Sequence, residues 1–376
     1  MTVIEPGATI GLLGGGQLGR MAALAAREMG YEVRVLDPDP APPAAAVATS
    51  CIRAAFDDVD AAVRLARECA VLTIEIERVA VASLEAAAQW VPVRPAASVL
   101  ALVQNRERQK QWLESKGFPV GPYRAVGSLA ECEQAVAAFG GSYVKASTGG
   151  YDGRGQVRVG DPAECAEAWA ALRAERCVVE QALELEREVS VMIARRPKGE
   201  TATYAPALNH HEAGQLEWSV IPAPVPAALT REATVMGTAI AKQLDVVGLL
   251  AVEMFVTRNG ELRVNELAPR PHNSFHHTVE ACVTSQFEQL VRAVCDLPLG
   301  TTDIVRPAAI ANILGDAWRN GRPPDFSAAL SVPGTRLHLY GKRDPRPARK
   351  MGHMAAVGAT PEEALARVTE SARRLR

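Results

Sequence analysis

The dipeptide Asn259-Gly260 lies between two runs, Val252-Glu253-Met254-Phe255-Val256-Thr257 and Glu261-Leu262-Arg263-Val264-Asn265-Glu266. Asn-Gly accepts the positive φ angles of a two-residue turn, so the runs are predicted to pair as an antiparallel hairpin. With Arg258 facing Glu261 and pairing continuing one for one, Glu253 falls opposite Glu266 on the same face. Such neighbours have Cβ atoms about 5 Å apart, and like charges there repel. A shared proton or a cation relieves the repulsion, and Mg²⁺ held by carboxylates and nucleotide phosphates suits the arrangement. The apolar flank Leu249-Leu250-Ala251-Val252 argues for a central strand over a solvated pair at the surface. A bulge in either strand would shift the register.

A second glycine-rich segment lies upstream. Tyr143-Val144-Lys145 reads as a strand carrying a lysine inward, and Ala146-Ser147-Thr148-Gly149-Gly150-Tyr151-Asp152-Gly153-Arg154-Gly155-Gln156 follows it. Backbone amides in such a loop can wrap anionic oxygens while Lys145 and Arg154 neutralise charge, as a flap over polyphosphate would. No Gly-Lys-Ser/Thr opens a helix here, so the segment is not a P-loop. An ordinary glycine-rich hairpin is the plainer alternative.

At the start of the chain, Gly14-Gly15-Gly16-Gln17-Leu18-Gly19 follows the apolar strand Thr9–Leu13 and opens the helical rhythm Gln17–Met29; Tyr31–Leu36 reads as a second strand, ending at Asp37. This satisfies the dinucleotide pattern. Its physical content is narrower: free amides at a helix N-terminus beside glycines that admit an anion. A nicotinamide cofactor, another phosphate ligand and a purely structural turn all remain open at this motif. With the strand Val71–Ile76, the first hundred residues read as a small parallel α/β domain.

Breaks at Phe118-Pro119-Val120-Gly121-Pro122, after the charged helix Gln104–Lys116, and at Pro298-Leu299-Gly300 divide the remainder. Residues 1–103, 104–298 and 299–376 are the expected units. The middle one mixes Tyr143–Lys145, Gln156–Val159, Cys177–Gln181 and Glu188–Ala194 as strands with helices such as Pro162–Ala174, an α+β pattern. The last contains the strands Ala308–Leu314 and Arg336–Tyr340, a basic loop and a helix from Pro361. The net charge of −2 offers no field for nucleic acid or an acidic membrane, and no apolar run reaches the roughly 18 residues of a membrane helix. Seven scattered cysteines without a Cys-x-x-Cys pair are expected to be reduced. No signal peptide is read before the first strand, so the cytosol is the expected compartment.

After Glu266 comes Ala268-Pro269-Arg270-Pro271-His272-Asn273-Ser274, a proline-stiffened loop with a cation, an imidazole and two hydrogen-bonding groups, suited to a small anion such as bicarbonate or phosphate. His272 and His276 are four apart, but the prolines oppose the helix a metal pair would need. Lys342, Arg343, Arg346, Arg349 and Lys350 crowd a loop flanked by Gly341 and Gly352, either solvated or able to close over phosphates.

Together these strings resemble the ATP-grasp enzymes of the N5-carboxyaminoimidazole ribonucleotide synthetase family. Gly-Tyr-Asp-Gly-Arg-Gly-Gln and Ala-Pro-Arg-Pro-His-Asn-Ser carry the resemblance most specifically. Gln104-Asn105-Arg106, Thr284-Ser285-Gln286-Phe287-Glu288-Gln289, His338-Leu339-Tyr340-Gly341-Lys342 and Arg349-Lys350-Met351-Gly352-His353 extend it over nearly the whole chain. The resemblance implies an ATP-grasp fold with a Rossmann-like preATP-grasp domain and a small C-terminal domain. It implies carboxylation of 5-aminoimidazole ribonucleotide by bicarbonate with ATP, through carboxyphosphate, in purine biosynthesis, and a homodimer. Arg106, Lys145, Gly150, Tyr151, Asp152, Gly153, Arg154, Gly155, Gln156, Glu180, Gln181, Ala182, Leu183, Glu188, His211, Asn265 and Glu266 would meet ATP, Glu188 at the ribose hydroxyls. Glu253 and Glu266 would hold Mg²⁺. Tyr151, Asp152, Arg154, Arg270, His272, Asn273, Ser274, Lys342 and Arg349 would surround bicarbonate and the ribonucleotide, with Gly16, Gln17, Leu18 and Glu75 also facing the latter. Lys145, Tyr151, Asp152, Arg154, Arg270, His272, Asn273 and Lys342 would serve the chemistry.

The chain departs from that pattern at Ile74, Arg78, Ala182, Phe275 and Ala348. Phe275 stands where glycine is common, a bulky side chain beside the bicarbonate loop, and whether it tunes or damages the site is left open at this point. Other readings remain: a formate-using or biotin-carboxylase-like ATP-grasp ligase, a nicotinamide oxidoreductase, or a nucleotide-binding regulator without turnover.

Overall fold

The computed structural model describes residues 2–150, 155–319 and 321–375. Thr9–Leu13 (β1), Glu32–Asp37 (β2), Ser50–Arg53 (β3) and Val71–Ile74 (β4) form a parallel sheet in the order β3-β2-β1-β4. The apolar stretches of β1 and β4 are buried, as befits strands covered on both faces. The helix Gln17–Glu28 buries Leu18, Gly19, Ala22, Ala23 and Ala26. Its alanines share one core with Leu290, Val291 and Val294 of the helix Gln286–Val294, which ties the N-terminal unit to the centre of the molecule. β4 stops at Ile74, two residues short of the sequence expectation, because the Glu75 side chain turns into the glycine turn.

Tyr123–Val126 (β5), Ser142–Ala146 (β6), Gln156–Val159 (β7) and Cys177–Gln181 (β8) make an antiparallel sheet in the order β5-β8-β6-β7. Two helices back it, Leu129–Phe139 and Cys165–Leu172, around Cys132, Val136, Val144, Cys165 and Val179. The single helix expected over Pro162–Ala174 is divided: Pro162–Glu164 is a 3-10 turn, and the helix that follows ends where Arg173 turns left-handed at φ 49°. All seven cysteines are free.

The third sheet comprises Leu185–Arg195 (β9), Thr201–Thr203 (β10), Ala207–Glu212 (β11), Gln215–Ile221 (β12), Gly248–Thr257 (β13), Leu262–Ala268 (β14), Ala308–Leu314 (β15), Thr335–Leu339 (β16) and Lys350–Val357 (β17). Its order is β14-β13-β9-β11-β12-β15-β17-β16, with β10 beside β9. β12 pairs with β15, so the C-terminal strands continue the central sheet. One continuous sheet thereby carries both the acidic hairpin and the basic loop between β16 and β17. Lys350, which the sequence places in that loop, is the first residue of β17. Among the described residues, no helix is long and apolar enough to cross a membrane.

Candidate active site

The β13–β14 hairpin is not closed by a two-residue turn. The Gly260 amide donates to the Thr257 carbonyl at 2.8 Å and the Thr257 amide to the Glu261 carbonyl at 3.0 Å, so Arg258, Asn259 and Gly260 form a three-residue loop. Gly260 takes φ 79°, the left-handed residue such a loop requires. From this loop Val256 pairs with Leu262 and Met254 with Val264. Unbroken pairing would set Glu253 against Asn265. A register shift between Glu253 and Met254 leaves Asn265 unpaired, and Glu253 lies opposite Glu266. Loop and bulge each displace the register by one residue, in opposite senses, and the displacements cancel.

Both carboxylates line a cleft of about 1390 Å³. Glu253 accepts an ion pair from His272 Nε2 at 3.0 Å. Burial alone would raise its carboxyl, but His272, and then His211 and Lys350, outweigh burial and hold it down at about 2. Glu266 opens on the cleft. Desolvation by the surrounding walls raises its carboxyl, Glu253 and Glu77 add to this, and Arg106 and Lys145 act against it. Two such carboxylates side by side favour a shared proton or a cation between them.

Arg106, Lys145, Gly150, Gln156, Glu180, Gln181, Ala182, Leu183, Glu188, His211 and Asn265 line the same cleft. Lys145 Nζ lies 3.1 Å from Glu180 Oε2. The Arg106 amide donates to the Ser147 carbonyl and its guanidinium to the Ala146 carbonyl, both at 2.8 Å, which anchors the root of the flap. Gly149 and Gly155 sit at φ 83° and 73° on either side of it. Tyr151, Asp152, Gly153 and Arg154 lie outside the described residues, and Gly155 does not line the cleft. Glu188 Oε2 holds His211 Nδ1 at 2.6 Å. Burial lowers the His211 imidazole, but the bond to Glu188 prevails and raises it above its usual range.

Gln17, Leu18, Glu75, Arg270, His272, Asn273, Lys342 and Arg349 line the rest of the cleft. Arg270 Nε pairs with Glu77 at 2.8 Å. The backbone of His272 is clamped by one side chain: Gln286 Oε1 accepts its amide at 2.8 Å and Gln286 Nε2 donates to its carbonyl at 2.9 Å. Asn273 is 7% exposed, and neither atom of its amide has a hydrogen-bond partner among the described residues. Ser274 stands behind the cleft, its hydroxyl 2.8 Å from His272 Nδ1 and within a buried network with Ser190, Asn209 and Ser219. It is 1% exposed, outside the cleft lining, and orients the imidazole. The basic loop is seated from below: the Ala348 amide donates to Asp316 at 2.7 Å and the Gly315 amide to the Arg349 carbonyl at 2.8 Å. A Cβ on Gly315 would sit 2.0 Å from the Arg346 carbonyl oxygen.

The N-terminal glycine turn holds an anion of the protein's own. Glu75 accepts the amides of Gly16 at 2.8 Å and Gly19 at 3.0 Å, and Asp37 accepts that of Gly15 at 2.7 Å. A Cβ on Gly14 or Gly16 would fall 2.5 to 2.7 Å from the Glu75 side chain. These glycines admit a carboxylate where a dinucleotide fold admits pyrophosphate, so Gly16 lies behind Glu75 and outside the cleft lining.

Comparison with known proteins agrees with this geometry. Residues 7–104 match a ribonucleotide synthetase preATP-grasp domain, 111–287 an ATP-grasp domain, and 308–367 a phosphoribosylaminoimidazole carboxylase C-terminal domain. The N5-carboxyaminoimidazole ribonucleotide synthase of Bacillus subtilis (strain 168) is 38% identical over 98% of this chain and 96% of its own length. The crystal structure of an ADP complex of N5-carboxyaminoimidazole ribonucleotide synthetase superposes with TM-score 0.92 at 41% identity, covering 99% of this chain and 98% of that one. An Aspergillus clavatus N5-carboxyaminoimidazole synthase in complex with ADP and 5-aminoimidazole ribonucleotide superposes with TM-score 0.89 at 30% identity, covering 98% and 99%.

The chain belongs to the N5-carboxyaminoimidazole ribonucleotide synthase family. It is therefore an ATP-grasp ligase. Phe275 does not line the cleft. Its ring is wholly buried, 6.1 Å from the ring of Tyr204 and 5.6 Å from that of His277. The 3-10 turn Asn273–Phe275 sends the Asn273 side chain to the cleft and that of Phe275 to the core. Ala348 adopts φ 60°, which explains why glycine suits that position. Ile74 is core, whereas Arg78 lines the cleft. Three contributors escaped the sequence reading. Lys110 lies one helical turn beyond Arg106, a spacing that marks a shared face. Glu77 and the Gln286 side chain carry no local signal of their roles.

Proposed function

We propose that this chain joins bicarbonate to the amine of 5-aminoimidazole ribonucleotide at the expense of ATP, giving N5-carboxyaminoimidazole ribonucleotide, ADP and phosphate. What carries the proposal is one cleft that combines the opposed pair Glu253 and Glu266, the cations Lys145 and Arg106, and the basic loop bearing Lys342 and Arg349. In this reading ATP lies along Arg106, Lys145, the flap from Gly150 to Gln156, Glu180 to Leu183, and Asn265. Glu188, steadied by His211, takes the ribose hydroxyls. Glu253 and Glu266 fit a divalent cation, being two carboxylate donors in a position that raises the proton affinity of one of them. When bound, Mg²⁺ supplies charge neutralisation at the β- and γ-phosphates.

A bicarbonate oxygen attacks the γ-phosphorus, the bond to the β–γ bridging oxygen breaks, and ADP leaves. The amine of the ribonucleotide then takes the carboxyl group from carboxyphosphate, releasing phosphate. Positioning and charge stabilisation carry such a transfer. His272, clamped by Gln286 and backed by Ser274, orders the anion loop; Asn273 offers an unpartnered amide; Arg270 and Lys145 contribute positive charge. Lys342 and Arg349 suit the ribonucleotide phosphate, with Gln17, Leu18 and Glu75 facing its other end. Tyr151, Asp152 and Arg154 of the flap are assigned to the same substrates by resemblance to the family. Closure of the flap and of the basic loop would exclude water from carboxyphosphate. A homodimer in the cytosol completes the proposal.

The test is ADP release measured with 5-aminoimidazole ribonucleotide plus bicarbonate, and again with formate in place of bicarbonate. Stimulation by the first pair alone is expected, and Lys145→Ala or Glu266→Ala should abolish it. Wild-type rates from either variant would remove the assignment. The nicotinamide alternative requires a phosphate among amides that Glu75 already occupies.

A further inference from the structure

Lys110 is one of the most deeply buried cations in the described structure, 3% exposed on the helix Arg106–Ser115. A lysine withdrawn from water this far requires a fixed counter-charge. Its Nζ lies 3.3 Å from Glu180 Oε2, the same oxygen that Lys145 Nζ approaches at 3.1 Å. The three side chains are 3%, 11% and 12% exposed. The Tyr123 ring, 5.6 Å from Lys110 Nζ, covers its other side. Two cations thus converge on one oxygen of one carboxylate.

The two lysines differ in what they can reach. Both line the cleft, but Lys145, on β6, is 12% exposed and Lys110 3%. A phosphate that draws Lys145 toward itself weakens the lysine's ion pair with Glu180. If Glu180 had no other partner, that move would strand a buried carboxylate and oppose nucleotide binding. Glu180 is ionised: its carboxyl lies below the usual range although burial works to raise it, because Lys145 and Lys110 flank it.

We propose that Lys110 is a positioning residue that retains the charge of Glu180 and so releases Lys145 to the nucleotide. The proposal rests on the reading of the cleft as an ATP site. In the resting arrangement Glu180 holds Lys145 in place and aims it. On binding, Lys110 keeps Glu180 neutralised while Lys145 turns to the phosphates. Lys110 touches no substrate in this scheme and acts only through Glu180.

The experiment is calorimetric titration of the full chain with AMP-PNP and MgCl2, comparing wild type, Lys110→Met, Glu180→Gln and the double variant. Lys110→Met should weaken binding at least tenfold, because among the described residues Lys145 is then the ion-pair partner left to Glu180. The double variant should recover at least threefold over Lys110→Met, since no carboxylate remains to hold Lys145 back. Unchanged binding by Lys110→Met would overturn the proposal. So would a double variant no better than Lys110→Met, which would make Lys110 a direct contact or a purely structural one. If Lys110→Met does not fold, Lys110→Gln decides in the same titration: a loss of at least tenfold is expected, and unchanged binding would overturn the proposal. Wild-type protein that failed to bind AMP-PNP would refute the ATP-site reading itself, an outcome separate from all of these.

Discussion

Replacing Phe275 with alanine tests whether this residue belongs to the core or to the chemistry. The ring is 0% exposed and packs among Tyr204, His277, Met192 and Phe287. A phenylalanine of this kind removes about 200 Å² from water, worth about 5 kcal/mol at roughly 25 cal/mol per Å². Truncations of buried phenylalanine to alanine cost about 3 to 5 kcal/mol, so a loss of about 4 kcal/mol is expected. The void would also adjoin His277, whose imidazole burial holds down at about 3, and water entering there would relax that value upward. Urea unfolding followed by intrinsic fluorescence measures the stability loss. Steady-state ADP release, run well below the variant's unfolding temperature, measures the site. The KM values for bicarbonate and ribonucleotide should remain within about threefold of wild type, because only Asn273 of this turn faces the cleft. A stability loss below about 1 kcal/mol, or a tenfold rise in the bicarbonate KM with stability intact, would refute the assignment of Phe275 to the core.

Glu75 should make stability pH-dependent. Burial outweighs the Gly19 and Gly16 amides and raises its carboxyl from 4.5 to about 7. The folded state therefore binds this proton more tightly than the unfolded state, and the resulting stabilisation is complete below pH 4.5 and lost as pH rises through about 7. That displacement corresponds to about 3 kcal/mol. Glu75→Gln lacks it, so the wild-type minus variant unfolding free energy should fall by about that amount between pH 4 and pH 8.5 in urea titrations; a flat difference would contradict the burial argument. Gln286→Leu strands the partly buried amide and carbonyl of His272. It should raise the KM for bicarbonate and ribonucleotide about tenfold while leaving AMP-PNP affinity within about twofold, each unpaired group costing about 1 to 3 kcal/mol. Equal losses in both measurements would show a general loosening of the fold instead.

Local order was legible in the sequence wherever a short segment suffices to specify it. The alternating apolar pattern around Glu253 and Glu266, the glycines of the flap and the stop signals near Gly117 and Pro298 each act within a few residues. Strands such as Gln156–Val159, Cys177–Gln181 and Ala308–Leu314 begin and end where their composition indicates. What no local pattern contains is a partner distant in the chain. The bulge that sets Glu253 opposite Glu266 depends on β13 also pairing with β9, and β14 with Val120. Glu75 claims amides 56 to 59 residues earlier in the chain, which turns a nominal pyrophosphate site into an internally satisfied turn. Phe275 sits in a segment of cleft residues yet belongs to the core, because the tight turn after His272 gives adjacent side chains opposite directions. Residue types and short spacings thus determined which chemistry the chain is equipped for. The packing of distant segments decided which of those groups face the cleft, since side-chain direction, burial and charge partners are properties of the folded neighbourhood and not of the string.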